Sequence, residues 1–141
     1  LPAAHPQDGD RLQYARVYVA PPDHHMTLEG EIVRITQGPT ENGVRPAVDP
    51  LFRSAARAFG PRVIGVIGSG ALDDGSAGLA AVKQAGGIAI VQDPEEAATP
   101  SMPRSALLTT RADHILPLLE IAPLLSALVR ERTTDAVSPF R

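Results

Sequence analysis

The chain has 141 residues, 43% hydrophobic and 21% charged, a balance that suits one soluble globular domain with a sizeable core rather than a disordered chain. A net charge of −3 without any basic block argues against nucleic acid as a partner. The lack of cysteine excludes a thiol nucleophile, a disulfide framework and a cysteine-based zinc site. No signal-peptide pattern and no membrane-length apolar run stand out, so cytoplasmic residence without membrane insertion is expected. The chain begins at Leu1, not Met, without a start signal in its first ten residues, so a processed chain or a piece of a longer one is expected.

In chain order, RVYVAPP reads as a short strand, with Val17 and Val19 alternating with Arg16 and Tyr18 before Pro21-Pro22. MTLEGEIVRIT reads as a β-hairpin turning at Glu29-Gly30. QGPTENGVRP is a loop by composition. AVDPLFRSAARAFG is the clearest helix. Val48, Leu51, Phe52, Ala55, Ala56 and Phe59 form one apolar face, and Asp49-Pro50 resembles a cap followed by a first-turn proline.

RVIGVIGSG is a near-continuous apolar run, as in a strand covered on both faces. GSAGLAAVKQAGG reads as a helix stopped at Gly86-Gly87. GIAIVQDP repeats the buried-strand pattern, and MPRSALLTT reads as a short helix capped by Ser101. EIAPLLSALVRER is helical if Pro123 lies in its first turn, and TTDAVSPFR reads as a loose tail. From Val63 onward this order predicts an α/β sandwich with a parallel sheet, whose sites lie at the carboxyl ends of strands. SGALDDG and VQDPEEA both sit at such ends.

GVIGSGALDDGSAG is a poor nucleotide loop. Asp73 stands where a dinucleotide fingerprint needs its third glycine, two carboxylates would repel a pyrophosphate, and no Lys-Ser/Thr pair follows. Local spacing favours Asp73 or Asp74 as a cap for the helix over 76–85, with orientation of a catalytic histidine as the sharper alternative. In PPDHH, Asp23, His24 and His25 read as loop surface, because adjacent histidines in extended chain point opposite ways. His114 reads as structural. Ser69 lacks the glycine two positions earlier that a nucleophile elbow needs, since Ile67 is there.

Taken together, YVAPPDHH, the long run RPAVDPLFRSAARAFGPRVIGVIGSGALDDGSAGLAAVKQAGGIAIVQDPEEA and SMPRSAL resemble the catalytic domain of CheB-type protein-glutamate methylesterases. The likeness runs from about Leu1 to about Val129, with several motifs in order. It implies a doubly wound, mostly parallel α/β sheet with helices on both faces and one β-hairpin, in three layers. Residues 1–130 would form a partial domain and 131–141 the loose tail. The implied activity is hydrolysis of glutamate methyl esters on chemoreceptors, with glutamine deamidation alongside, by a Ser-His-Asp triad without any cofactor or metal.

By the same resemblance Asp74 is the triad acid, and Asp73 shapes the turn or caps the helix. Ala71 and Leu72 border the oxyanion pocket, and Met102 belongs to a stretch near the site. Relatives often have Met at Ala71 and Gly at Ser101. The family's serine and histidine match no residue here, so roughly a third of the domain, including central strands, is expected to be absent, leaving an apolar sheet edge open. The isolated piece is then expected to be inactive. Methylated chemoreceptor helices are the implied partners, with a receiver domain or methyltransferase as a further one. The alternative is a non-catalytic remnant of the fold that serves protein interaction.

Overall fold

The structure, a computed structural model, describes residues 1–135. Two very short strands, β1 (Ala3–Ala4) and β2 (Val17–Tyr18), pair in parallel. The expected hairpin follows as β3 (His25–Glu29) and β4 (Ile32–Thr36), antiparallel, with Met26 opposite Ile35 and Leu28 opposite Val33. Residues 9–12 run along the far edge of β4, where Val33 N–H donates to Asp10 C=O and Leu12 N–H to Glu31 C=O, both at 2.8 Å. The loop that composition predicts next contains a tight turn. Asn42 and Gly43 both have positive φ (54° and 78°), and Glu41 and Val44 exchange backbone hydrogen bonds at 3.0 Å across them. An Asn-Gly pair suits that geometry because both tolerate the left-handed region.

Helix α1 (Val48–Phe59) is the predicted amphipathic helix, closed by a 3-10 turn at Gly60–Arg62. Then come β5 (Ile64–Ile67), α2 (Ser76–Gln84), β6 (Ile88–Gln92), α3 (Ser101–Thr109), β7 (His114–Leu116) and α4 (Leu118–Asp135). The sheet order is β5-β6-β7, all parallel, with Ile64 opposite Ile88 and Ile90 opposite His114. β7 goes beyond the sequence reading, which passes from the short helix to the closing one. Three residues with a single strongly apolar pair are too short for a periodicity signal.

Period-two alternation puts Gly65, Ile67, Ala89 and Val91 on one face of the sheet. There Ile67, Ala89 and Val91 pack with Leu79 of α2 and Ala106 of α3, flanked by Val48 and Phe52 of α1. Gly65 lets this packing close tightly. A Cβ there would lie 3.0 Å from Leu79 Cδ1 and 3.2 Å from Phe52 Cε2. The opposite face carries Ile90, fully buried, and α4 packs on β6 with Ile121 buried. Helices on both faces of a parallel sheet, plus a hairpin, make the α/β architecture that the sequence predicts. Among the described residues β5 pairs only with β6, so its other edge is unpaired.

Three helix starts differ from expectation. Pro100, not Ser101, is the cap position of α3, and Ser101 makes no capping bond. Asp49 lies inside the first turn of α1, whose cap position is Ala47. Pro123 lies inside α4, beyond its first turn. The carbonyl that Pro123 cannot satisfy belongs to Leu119, which is exposed and open to water. α4 continues to Asp135, past the boundary expected at residue 130, and 136–141 lie outside the described residues. No described helix is long and apolar enough to cross a membrane.

Two surface carboxylates tie loops to the scaffold and set an acid response. Asp113 is partly desolvated, which raises its pKa, but the Ala89 N–H (2.7 Å) and the Lys83 ammonium (2.9 Å) outweigh this and leave it below the ordinary 3.8. Arg45, bound to Asp23 Oδ1 through Nε and Nη2, holds Asp23 low as well. Between the folded and unfolded pKa values the unfolded chain binds more protons, so stability falls as pH falls through that window. Melting temperature is expected to hold down to about pH 4 and to decline below it. Asp113→Asn should flatten part of that decline in thermal melts between pH 2 and pH 5.

Candidate active site

The turn between β5 and α2, residues 68–75, is anchored from one side. Ser69 Oγ accepts the Thr99 N–H at 2.7 Å and lies 3.2 Å from Thr99 C=O. Gly70 N–H donates to Thr99 C=O at 2.8 Å, and Met102 N–H donates to Gly70 C=O at 3.0 Å. Met102 Sδ lies against Gly70 where a Cβ would stand. Ser69 is therefore a clamp between two loops. Of the three residues expected to border substrate, Met102 is brought onto the turn but packs inward on the core, while Ala71 and Leu72 are exposed.

Leu72 has a φ of 65° and is 59% exposed, so a large side chain occupies a left-handed position with little burial in return. Leu72→Gly is expected to stabilise the chain by about 1 kcal/mol, read from urea midpoints at unchanged slope.

The turn ends on Asp74, only 7% exposed. Its carboxylate does not cap the helix that follows. Gly75 is the cap position of α2 and makes no side-chain cap bond, and neither does Asp73, which is exposed and offers Ser76 N–H only its backbone carbonyl. Instead Asp74 caps α1. Oδ2 accepts Val48 N–H at 2.7 Å, and Oδ1 accepts Asp49 N–H at 3.3 Å. A carboxylate there satisfies orphan first-turn donors and faces the positive end of the helix dipole.

Asp49, 4% exposed, returns the arrangement: its Oδ1 accepts Gly78 N–H in the first turn of α2 at 2.7 Å. Each helix start thus donates a bond to an aspartate at or just before the start of the other. Asn42 joins the two, donating through Nδ2 to Asp49 Oδ2 at 2.8 Å and to Asp74 Oδ1 at 3.0 Å. Asn42 and Asp49 were not readable as site residues. The Asn-Gly turn was a usable signal for Asn42, but nothing local indicates where its amide points.

Three donors reach the Asp74 carboxylate, which has about four acceptor positions. Oδ2 holds a single bond and keeps one position for a further donor. His25 approaches the same helix start without supplying it. It is buried rather than the loop-surface residue expected, its Nε2 bonds Pro39 C=O at 2.7 Å, and its Nδ1 accepts Ala47 N–H at 3.3 Å. His24 bonds Pro22 C=O, and His114 lies in β7. Asp23 is committed to Arg45 and Gln37, and no cluster of three or more metal-ligating side chains occurs among the described residues. The geometry supplies a buried carboxylate held by Val48, Asp49 and Asn42 in the turn that follows β5.

A family model described as CheB methylesterase matches residues 1–125. The chain belongs to that family. Among curated CheB relatives, the protein-glutamate methylesterase/protein-glutamine glutaminase 1 of Rhodospirillum rubrum is 40% identical over 126 residues, covering 86% of this chain and 33% of its own length. The protein-glutamate methylesterase/protein-glutamine glutaminase of Pyrococcus abyssi is 39% identical over 119 residues, covering 82% and 32%. The chain thus spans about a third of the length of these curated relatives. The crystal structure of the Thermotoga maritima CheB methylesterase catalytic domain superposes with a TM-score of 0.82 at 33% identity, covering 88% of this chain and 68% of that one. The CheB fold accordingly agrees with the α/β architecture described above.

Proposed function

We propose that this chain is the acid-bearing part of a protein-glutamate methylesterase, acting with a serine and a histidine on polypeptide beyond the third of the curated relatives that it spans. Asp74 accepts an imidazole N–H at the free position of Oδ2 and holds that ring in one tautomer. The other ring nitrogen takes the serine proton as the hydroxyl attacks the ester carbonyl of a methylated glutamate. Methanol leaves with the proton returned by the imidazolium, and water repeats the sequence to release the free carboxylate. An amide at the same carbonyl would give deamidation by the same steps. The exposed strand-end turn at Ala71 and Leu72 lies where backbone N–H groups could meet the developing oxyanion.

One observation carries this reading: a buried carboxylate, fixed by Val48, Asp49 and Asn42, that retains one acceptor position. The substrates are methylated chemoreceptor helices, with a receiver domain or methyltransferase as a further partner, in the cytoplasm. Alone, the described chain brings no serine or histidine to Asp74 and is expected to be inert. The test is hydrolysis by the protein that carries this segment together with its serine and histidine. Asp74→Asn should abolish most turnover and Asp73→Asn should leave it nearly intact. Equal loss in both variants would refute the assignment.

A further inference from the structure

A well-formed cleft among the described residues lies away from Asp74. It measures about 780 Å³ and runs between the β3–β4 hairpin and α1, with Glu41 at one end. Its walls are pinned together: Leu28 N–H donates to Ser54 Oγ at 2.9 Å, and that hydroxyl donates to Leu51 C=O. Three arginines line it, Arg34 from β4 and Arg53 and Arg57 from α1. Two glutamates answer two of them, Glu29 to Arg34 at 3.1 Å and Glu41 to Arg53 at 2.7 Å. Arg57 has no ion-pair partner among the described residues and is exposed. The cleft therefore carries an excess positive charge in a chain whose net charge is −3.

We propose that this cleft binds an extended acidic peptide segment, with carboxylates at alternate positions engaging Arg57 and Arg53. Arg53 and Arg57 stand one helical turn apart, about 5–6 Å between Cβ atoms. Carboxylates two residues apart on an extended strand repeat at about 6.6 Å on the same side, a close match. Guanidinium groups form forked bonds to carboxylates, which favours them over a merely basic surface. Glu29 and Glu41 act as intramolecular competitors, so freeing an arginine strengthens the site. The inference does not depend on the role of Asp74.

The test uses the whole chain and a fluorescently labelled peptide of alternating Glu and Thr, followed by anisotropy. Saturable binding is expected, weakening as salt rises. Arg57→Glu should weaken it about tenfold or more, with unchanged circular dichroism because Arg57 is exposed. Glu41→Gln, which releases Arg53 from its ion pair, should tighten it about two- to fivefold. The charge-matched control Arg111→Glu lies outside the cleft and should shift affinity less than about twofold. Four results would each overturn the proposal: no saturable binding, equal weakening by Arg57→Glu and Arg111→Glu, equal binding of a Gln-Thr peptide, or displacement by inorganic phosphate as effective as by unlabelled peptide.

Discussion

Asp74→Asn is expected to lower ester hydrolysis by about 10⁴-fold, the scale on which loss of the orienting carboxylate acts in a serine triad. Its effect on folding should be far smaller. The asparagine keeps one acceptor oxygen for the start of α1 but turns its amide N–H₂ toward either Val48 N–H or the Asn42 amide, both donors. One such buried mismatch costs about 1–3 kcal/mol. Asp74→Ala removes the cap and leaves Asn42 with only Asp49 as a partner, so about 2–4 kcal/mol is expected. The contrast separates a catalytic role from a purely architectural one. If Asp74 only caps α1, turnover should fall with the folded fraction and recover under stabilising conditions. If it orients an imidazole, fully folded Asp74→Asn should still be nearly inactive. Denaturant melts and kcat measured on the same preparations decide between these.

Leu79→Ala should be the most destabilising single truncation in the core, costing about 2–5 kcal/mol. Leu79 is fully buried at the junction of α1, α2 and β5, with Cδ1 placed over Gly65. Gly65→Ala errs in the other direction. Its methyl would sit 3.0 Å from Leu79 Cδ1 and 3.2 Å from the Phe52 ring, an overpacking that costs about 1–3 kcal/mol. The two changes compensate, because the alanine methyl at position 65 enters the space that Leu79→Ala vacates. The double variant should be more stable than the sum of the singles by about 1 kcal/mol. Urea denaturation of all four proteins measures this coupling, and strict additivity would mean that Gly65 and Leu79 do not share one packing site.

Much of the fold was legible because its signals are local. The apolar face of α1, the hairpin at Glu29-Gly30 and the run over Ile64–Ile67 each express one element's own periodicity. β7 was missed because three residues carry no period, and β1 because two residues carry less, whereas its partner β2 lies within the strand expected at RVYVAPP. At the site, resemblance singled out Asp74, whereas local spacing assigned the wrong helix to its side chain. Capping rules look a few residues along the chain, but Asp74 caps a helix that starts 26 residues earlier, and Asp49 reaches 29 residues ahead to Gly78. Asn42 was unreadable for the same reason: its partners become neighbours only after the hairpin, α1 and the β5 turn have assembled.

That exchange of caps between helices bears on the order in which the polypeptide acquires structure. α1 lacks a side-chain cap of its own, and so does α2, so neither can finish its first turn from nearby residues. Each waits for the other, across a loop that includes the whole of β5. Closing such a loop costs entropy before any contact repays it, so the step favours simultaneous over stepwise consolidation. The two helices, the strand between them and the Asn42 turn thereby form one cooperative folding unit, and the carboxylate at position 74 reaches its working geometry only when that unit is complete.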